Sequence, residues 1–198
     1  DAVHAALDAT ADRPTPEDLK GVYDIAHRTL DEASPVLYGL GFFTEAAYFG
    51  EAETIWSYVP PGRTAPQRLD MDLEFYDFAS TPWWPREGTE HAVQSSYAYV
   101  DANGSNAYII SFSKRVMRDG QVAGAATADV LISHLQADFA PLLDALPPGS
   151  CIVDQLDVVI ATNAGSLIGE VLTPERNAGH TLDLPAVPWR LHVAPHSS

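Results

Sequence analysis

The first regular pattern along the chain is helical. Thr15-Pro16-Glu17-Asp18 has the features of a helix start: a hydroxyl cap, a proline in the first turn and an acid three residues after the cap. Apolar side chains then recur every three or four residues until Ser34-Pro35 ends the run. This spacing predicts an amphipathic helix within residues 15–33.

A strand pattern replaces the helical one in the next part of the chain. Residues 36–44 and 54–59 are rich in aromatic and β-branched side chains and are bounded by glycine and proline, which is typical of strands. Residues 73–88 are also aromatic, but Pro82 and Pro85 interrupt them. We therefore expect an ordered loop at this point.

Three alternating segments form the clearest strand pattern. They span residues 93–100, 106–117 and 121–130, and the turns between them contain Asn103-Gly104 and Asp119-Gly120. Both dipeptides supply the positive φ angles that tight hairpin turns require. The three segments therefore predict an antiparallel meander.

The remaining part of the chain predicts a helix, a hairpin and a final strand. Apolar spacing over residues 131–146 favours a helix that bends at Pro141. Residues 150–154 and 157–162 have the pattern of a short hairpin, and residues 189–193 alternate like a last strand. We therefore predict one α+β domain over residues 1–198, with helices largely on one face of a central antiparallel sheet.

The charge balance of the chain disfavours two classes of partner, nucleic acids and anionic membrane surfaces. Lys and Arg number 11 against 27 Asp and Glu, which gives a formal net charge of -16. Such an acidic surface repels phosphate backbones and anionic lipids, so we expect no direct binding to nucleic acid.

No apolar run approaches the roughly 20 residues that cross a bilayer, so we expect no membrane insertion by this segment. The chain begins with Asp1 instead of Met, and we expect it to be a piece of a longer protein.

The sequence contains no recognisable metal or cofactor motif. Its seven histidines are dispersed without the spacing of metal ligands, so we predict no metal site and no cofactor. The single cysteine, Cys151, lies in an apolar strand and cannot form an internal disulfide. Its isolation favours a cytoplasmic location, with an extracytoplasmic sensor of a membrane receptor as the alternative.

Aromatic, hydroxyl and charged residues are concentrated between Tyr76 and Asp129. On the middle strand of the meander, Ser111, Ser113 and Arg115 share one face because side chains alternate along a strand. An aromatic loop that covers this face would enclose a small-molecule pocket with apolar walls and a few polar groups. The candidate ligand-binding residues are Tyr76, Trp83, Trp84, Tyr97, Tyr99, Asp101, Ser111, Ser113, Arg115 and Asp129.

The same residues are also consistent with purely structural roles. The aromatic side chains fit a hydrophobic core, and Asp101 adjoins a turn that it could cap. Asp129 comes just before a predicted helix, whose dipole favours a nearby acid. If Asp129 faces a pocket instead, its carboxylate and the neighbouring aromatic rings would attract an ammonium group.

The order and spacing of six short motifs resemble those of Cache sensor domains, the PAS-like ligand-binding modules of bacterial receptors. The motifs are Tyr76-Asp77-Phe78, Thr81-Pro82-Trp83-Trp84, Tyr99-Val100-Asp101, Ile110-Ser111-Phe112-Ser113, Asp119-Gly120 and residues 124–129. The resemblance covers residues 36–163 as a sensor core, with the helix of residues 15–33 before it and residues 164–198 as a C-terminal extension. Within this family, the chain is similar to the single-module Cache proteins of high-GC bacteria. These proteins occur in or beside transcriptional regulators.

The resemblance implies a sensor and not an enzyme. In its amino-acid-binding members, an Arg two residues before the loop Trp holds the ligand carboxylate, and an Asp at the end of the third meander strand holds the ammonium. Thr81 and Asp129 occupy these positions here, so the ammonium side matches and the Arg is missing. Either Arg115 or Arg86 could replace it, or the ligand is an amine without a carboxylate. We expect a small amine-bearing or organic-acid metabolite.

Three functional hypotheses remain open at this point. The leading one is a signal-input domain that binds a small metabolite and regulates an attached or partner output, such as a transcriptional regulator. Its N-terminal helix, residues 15–33, would transmit the signal or form a homodimer. The alternatives are a small hydrolase or lyase that uses Asp101 or Asp129 with His91, and a protein-interaction module without a pocket.

Overall fold

The chain is described by a computed structural model in which two compact units are present. The described residues are 19–33, 36–60, 62–69, 71–74, 76–86, 88, 92–102, 105–173 and 179–195. Within them, the first unit comprises the residues up to 96 together with 101–106 and 111–130, and the second comprises 97–100, 107–110 and 131–195. The predictions made for residues 15–18, for Asn103-Gly104 and for His91 lie outside the described residues.

The first unit contains one long helix and a sheet in which six strands follow one another. Its elements are α1 (Lys20–Ala33), β1 (Gly39–Thr44), α2 (Ala46–Phe49), β2 (Thr54–Tyr58), β3 (Gln67–Arg68), a 3-10 turn (Phe78–Ser80), β4 (Gln94–Ser95), the main part of β6 (Tyr108–Arg118) and β7 (Gln121–Leu131). The strand order is β3-β2-β1-β7-β6-β4. Asp119 and Gly120 join β6 to β7 with φ angles of 51° and 75°, as the Asp-Gly signal predicts.

Helix α1 packs against one face of this sheet. Val22, Ala26 and Leu30 recur at helical spacing and are all buried, while Gly21 and Asp24 on the other side are exposed. The buried residues that form the core beneath the helix include Leu19, Val22, Phe42, Ile55, Val116 and Ala123. The opposite face of the sheet is therefore left for the aromatic loop.

The prediction that the meander begins with one continuous strand is wrong. Residues 93–100 form two short strands instead, β4 and β5 (Tyr99–Val100), which both pair antiparallel with β6. Between them, the Ala98 N–H donates 2.8 Å to the Asp154 carboxylate instead of to a strand partner. This hydrogen bond takes the backbone out of the ladder and explains the interruption.

The second unit contains β5, helix α3 (Ile132–Leu143) and a four-stranded sheet. The sheet is formed by β8 (Cys151–Val153), β9 (Val159–Thr162), β10 (His180–Leu184) and β11 (Trp189–Val193), in the order β10-β11-β8-β9. The predicted helix, hairpin and last strand are confirmed, and the helix contains Pro141. Cys151 is fully buried, which raises the pKa of its thiol to about 11.

Strand β10 and this second sheet were not anticipated from the sequence. Four of the five β10 residues are exposed, so the strand has no alternation of buried and exposed positions that would reveal it. The predicted α+β class with an antiparallel sheet is nevertheless confirmed. In the described part of the chain, no helix has both the length and the apolar character that a bilayer span requires.

Candidate functional site

Asp129 lies near the end of β7, on the face of the first sheet that helix α1 does not cover. Its side chain is only 4% exposed. Its backbone pairs with Gly39 of β1, and its carbonyl accepts the Tyr38 N–H at 2.8 Å. Its Oδ1 atom accepts a hydrogen bond of 2.6 Å from the Ser111 hydroxyl on β6. The carboxylate is therefore fixed between two strands inside the unit.

Burial governs the protonation of this carboxyl group. Loss of solvent raises the pKa of Asp129 to about 8; the hydrogen bond from Ser111 acts in the opposite direction, and the charge of Asp101 raises it further. Among the described residues, no Lys or Arg forms an ion pair with Asp129. A buried carboxyl without a cation is largely protonated at neutral pH.

Asp101 has two structural relationships in the same unit. Its Oδ2 atom accepts the Ser105 N–H at 2.7 Å, which is the turn-capping role that the sequence left open. It also interacts with Tyr76, whose pKa is raised first by burial and next by the charge of Asp101, while a hydrogen bond from Trp83 lowers it. Asp101 thus joins the turn to the aromatic loop.

Tyr38 brings a second buried phenol towards these acids. Burial raises its pKa most, a hydrogen bond with Ser105 lowers it, and the nearby Tyr58, Asp129 and Asp101 raise it further. Its ring meets Tyr58 edge-on at 5.9 Å. We refer to Tyr38, Tyr76, Asp101, Ser111 and Asp129 as the acid–tyrosine cluster.

Thr127 adds a buried hydroxyl next to the acid–tyrosine cluster. It lies two residues before Asp129 on β7, so both side chains project from the same face of the sheet. Thr127 is 2% exposed, and its Oγ1 atom has no hydrogen-bond partner among the residues that the structure describes. A buried hydroxyl of this kind can accept or donate one further hydrogen bond.

An aromatic wall adjoins the cluster on the same face of the sheet. Phe43 is at its centre, with ring centroids 4.5 Å from Trp83, 5.4 Å from Phe78 and 5.6 Å from Trp56. The Trp56 ring lies across two glycines of β1: a Cβ atom built on Gly39 would lie 2.6 Å from it, and one on Gly41 would lie 2.5 Å from it. The two glycines therefore make room for the indole.

The aromatic loop is held against β6 by side chains of that strand. The Ser113 hydroxyl donates to the Trp83 carbonyl, and Arg115 donates from Nε and Nη2 to the Pro85 carbonyl at 3.2 and 3.0 Å. Trp83 is only 3% exposed. The loop is therefore closed over the serine-bearing face of the sheet.

Two of the predicted site residues line a different region. Trp84 and Arg115 line a groove with Glu45, Tyr48 and Gln121 near the β6–β7 turn. Arg115 is four residues from Ser111 along β6, a separation of about 13 Å between backbones. The structure does not place Arg115 beside Asp129 as a substitute for the missing Arg.

The remaining predicted residues are placed as follows. Tyr97 and Tyr99 belong to the second unit, where their rings meet edge-on at 6.5 Å. The Thr81 hydroxyl donates 2.6 Å to the Phe78 carbonyl, which closes the 3-10 turn. Arg86 is exposed and its backbone N–H donates to the Gln94 side chain at 3.5 Å. Among the described residues, no group of three or more His, Cys, Asp and Glu is placed to hold a metal ion.

Sequence reasoning missed Tyr38, Phe43, Trp56 and Thr127. Thr127 had a local signal, since it alternates with Asp129 along one strand. Phe43 and Trp56 had no local signal in the sequence, because they reach the site only through the pairing of β1 with β2 and β7.

Three solved structures share the fold of this chain. The extracellular domain of the putative histidine kinase soHK1S-Z6 has a TM-score of 0.66 at 12% identity, covering 98% of this chain and 84% of that chain. The ligand-binding domain of the Pseudomonas fluorescens chemoreceptor CtaA, in complex with L-valine, has a TM-score of 0.59 at 16% identity, covering 100% and 87%. The Campylobacter jejuni chemoreceptor Tlp3 domain, in complex with L-norvaline, has a TM-score of 0.63 at 14% identity, covering 96% and 79%.

The family comparison covers most of the first unit and part of the second. No curated protein sequence matches the chain significantly. The family described as methyl-accepting chemotaxis protein-like, first PDC sensor domain, matches residues 22–137, which is more than half of the 198 residues. That span contains α1 from Val22 onwards, strands β1 to β7 and the acid–tyrosine cluster. The chain therefore belongs to the methyl-accepting chemotaxis protein-like PDC sensor domains and is a ligand-binding sensor module.

Proposed function

We propose that the first unit binds a small amine-bearing metabolite, with Asp129 as the partner of its ammonium group. One observation carries this proposal: the Asp129 carboxyl is 4% exposed and has Ser111 as its hydrogen-bond donor, with no ion pair to a described Lys or Arg. A buried carboxylate is stable only when a cation or several donors neutralise it. A ligand ammonium would supply both the charge and the donors.

The groups around Asp129 suit an ammonium ion better than an anion. An ammonium has three N–H donors, and Asp129, the Thr127 hydroxyl and a tyrosine hydroxyl of the cluster are acceptors on one side of the unit. Electron-rich faces of the aromatic wall attract a cation by about 0.5–2 kcal/mol each. A carboxylate at the same place would lie beside both Asp101 and Asp129 and would be repelled.

Recognition of a carboxylate on the same ligand would rely on neutral donors. Thr81, at the position of the carboxylate-binding Arg, already donates its hydroxyl to the Phe78 carbonyl. The complexes of CtaA with L-valine and of Tlp3 with L-norvaline support amino acids as one ligand class. We therefore propose amines and amino acids as the ligands, with the ammonium as the shared group.

The output of the sensor is a second part of the proposal. A bound ligand transmits a signal only if it binds one conformation of the protein better than another. Chemoreceptors and a putative histidine kinase among the solved structures favour a receptor output, and a transcriptional-regulator output stays a prediction. Homodimerisation through α1 also stays a prediction, for which the exposed side of the helix with Asp24 and Arg28 provides a surface.

Calorimetry with linked protonation tests the ammonium site. An ammonium that binds Asp129 must displace its proton, because the pKa of the free carboxyl is about 8. At pH 7 we expect close to one proton to be released for each amine bound, seen as a dependence of the binding enthalpy on the ionisation enthalpy of the buffer. The screen should compare amino acids, the corresponding amines and the corresponding carboxylates.

Variants complete this experiment. Asp129→Asn keeps the shape and loses the charge, so it should abolish amine binding, whereas Asp119→Asn in the exposed β6–β7 turn should leave it unchanged. Binding of amines by Asp129→Asn with wild-type affinity would refute the proposal. So would a screen in which only carboxylates bind, which would favour an organic-acid sensor.

A further inference from the structure

The groove near the β6–β7 turn is lined by residues outside the acid–tyrosine cluster. Its cavity volume is about 410 Å³, within the size range of small-molecule sites. The lining residues include Glu45, Ala47, Tyr48, Trp84, Arg115 and Gln121, which all belong to the first unit. The groove is therefore a concave region distinct from the surroundings of Asp129.

Glu45 gives the groove a carboxylate without a partner in the described part of the chain. Its backbone is fixed, because its N–H donates to the Ala123 carbonyl of β7 at 2.9 Å. The residue directly precedes α2, yet its side chain makes no capping hydrogen bond to that helix. No hydrogen bond or ion pair joins its carboxylate to another described residue. This half-buried carboxylate can therefore accept charge-assisted hydrogen bonds from a ligand.

Two aromatic side chains supply the apolar part of the groove. Tyr48 is 6% exposed, and its ring meets that of Phe49 edge-on at 5.1 Å. Trp84 is half-buried, with ring centroids 4.9 Å from Phe78 and 5.9 Å from Trp83. Neighbouring rings thus hold both side chains in place. Their aromatic surfaces favour an aromatic ligand and, because the ring faces are electron-rich, a cationic group on it.

Arg115 also lines the groove, but its side chain is committed to the aromatic loop. Its Nε and Nη2 atoms donate to the Pro85 carbonyl at 3.2 and 3.0 Å, and the residue has a further interaction besides these. Arg115 forms no ion pair with Glu45. Because electrostatic energy falls with distance, an ammonium in contact with Glu45 is attracted by that carboxylate more strongly than a more distant guanidinium repels it. We assign Arg115 no contact with the ligand.

We propose that this groove is a second ligand site, for an aromatic amine. Glu45 accepts hydrogen bonds from the ammonium group, and Trp84 and Tyr48 contact the aromatic body. An aromatic carboxylate is repelled by Glu45, and an aromatic alcohol lacks the charge that Glu45 favours. The site shares no residue with the acid–tyrosine cluster, so the inference does not depend on the proposal for Asp129.

Chemical-shift mapping by NMR tests the site with three matched probes. They are 2-phenylethylamine, 2-phenylethanol and 3-phenylpropanoate, which present the same phenyl group with a positive charge, no charge and a negative charge. The amine should shift the amide signals of Ala47, Gln121 and Val122, which line the groove. It should bind about fivefold or more tightly than the alcohol, because its hydrogen bonds to Glu45 are charge-assisted. Equal or tighter binding of the alcohol or the carboxylate in the groove would overturn the proposal.

Variants separate this site from the one at Asp129. Glu45→Gln should lower the affinity for the amine to that for the alcohol and leave alcohol binding unchanged, which also shows that the groove is intact. Glu51→Gln removes the same charge from an exposed position outside the groove and should leave amine binding unchanged. In Asp129→Asn, the groove signals should still shift. Absence of groove shifts at millimolar 2-phenylethylamine, or an unchanged amine affinity of Glu45→Gln, would overturn the inference and leave the Asp129 proposal standing.

Discussion

Asp129 is a residue whose position in the sequence was compatible with two roles. It precedes α3 by three residues, which fits an acid at a helix start, and it ends an apolar strand, which fits a pocket. The structure points its carboxylate at Ser111 of the neighbouring strand, 18 residues away in sequence. Local pattern placed the residue correctly, and strand pairing decided what it contacts.

The raised pKa of Asp129 has a consequence for stability. An ordinary aspartate ionises near pH 4 when unfolded, whereas this carboxyl ionises near pH 8 when folded. Its contribution to stability is therefore fully present below about pH 4 and is lost as the pH rises towards 8. In the absence of ligand, we expect the wild type to lose up to about 5 kcal/mol relative to Asp129→Asn over this interval.

Chemical denaturation of both proteins between pH 4.5 and 8.5 measures this effect. Subtracting the two curves removes the contribution of the other acids, which is common to both. A difference in unfolding free energy that stays constant with pH would contradict the prediction and would mean that Asp129 titrates normally.

Strand β1 shows how an element is shaped by its neighbour. Gly39 and Gly41 lie under the Trp56 ring, and a Cβ atom on Gly41 would also lie 2.1 Å from the Ile55 carbonyl oxygen. We expect Gly41→Ala to destabilise the first unit by about 1–3 kcal/mol because the sheet has to move to admit a methyl group. Urea denaturation measures the change.

A matched substitution on α1 serves as the control for Gly41→Ala. Gly21 is exposed, and no atom of the described residues lies within 4 Å of a Cβ atom built there. Gly21→Ala should therefore be neutral or stabilise the protein by about 0.5–1 kcal/mol through helix propensity. If both substitutions changed the free energy of unfolding equally, the close packing of Trp56 on Gly41 would make no contribution to stability.

The division of the predicted first meander strand into β4 and β5 also depends on contacts between distant elements. Its sequence alternates like one strand, and β4 and β5 do lie on β6 in the antiparallel sense expected. Asp154, more than 50 residues downstream, accepts the Ala98 N–H and also the N–H groups of Leu156 and Val158. No local sequence pattern could predict the hydrogen bond from Ala98 to Asp154, since the donor and the acceptor meet only after folding.

The net charge of -16 acts at the scale of the whole molecule. Like charges repel one another more strongly in the compact state than in the expanded unfolded chain, and salt screens that repulsion. We expect the melting temperature to rise by about 2–4 °C between 10 and 300 mM NaCl, which corresponds to roughly 1 kcal/mol for a chain of this size. Differential scanning fluorimetry measures the melting temperature at each salt concentration. A fall in melting temperature with added NaCl would contradict the prediction.

The sequence by itself determined the fold class, the helix α1, the β6–β7 hairpin and the place of Asp129 near the end of a strand. Periodicity, capping residues and positive-φ dipeptides are local signals, and they persist in the folded state because neighbouring residues produce them. Tertiary structure alone decided that Trp56 and Phe43 reach the aromatic wall, that Arg115 lines a separate groove, and that the buried Thr127 hydroxyl has no hydrogen-bond partner within the described part of the chain. Those outcomes depend on strand order and register, which bring together residues that are distant in the chain.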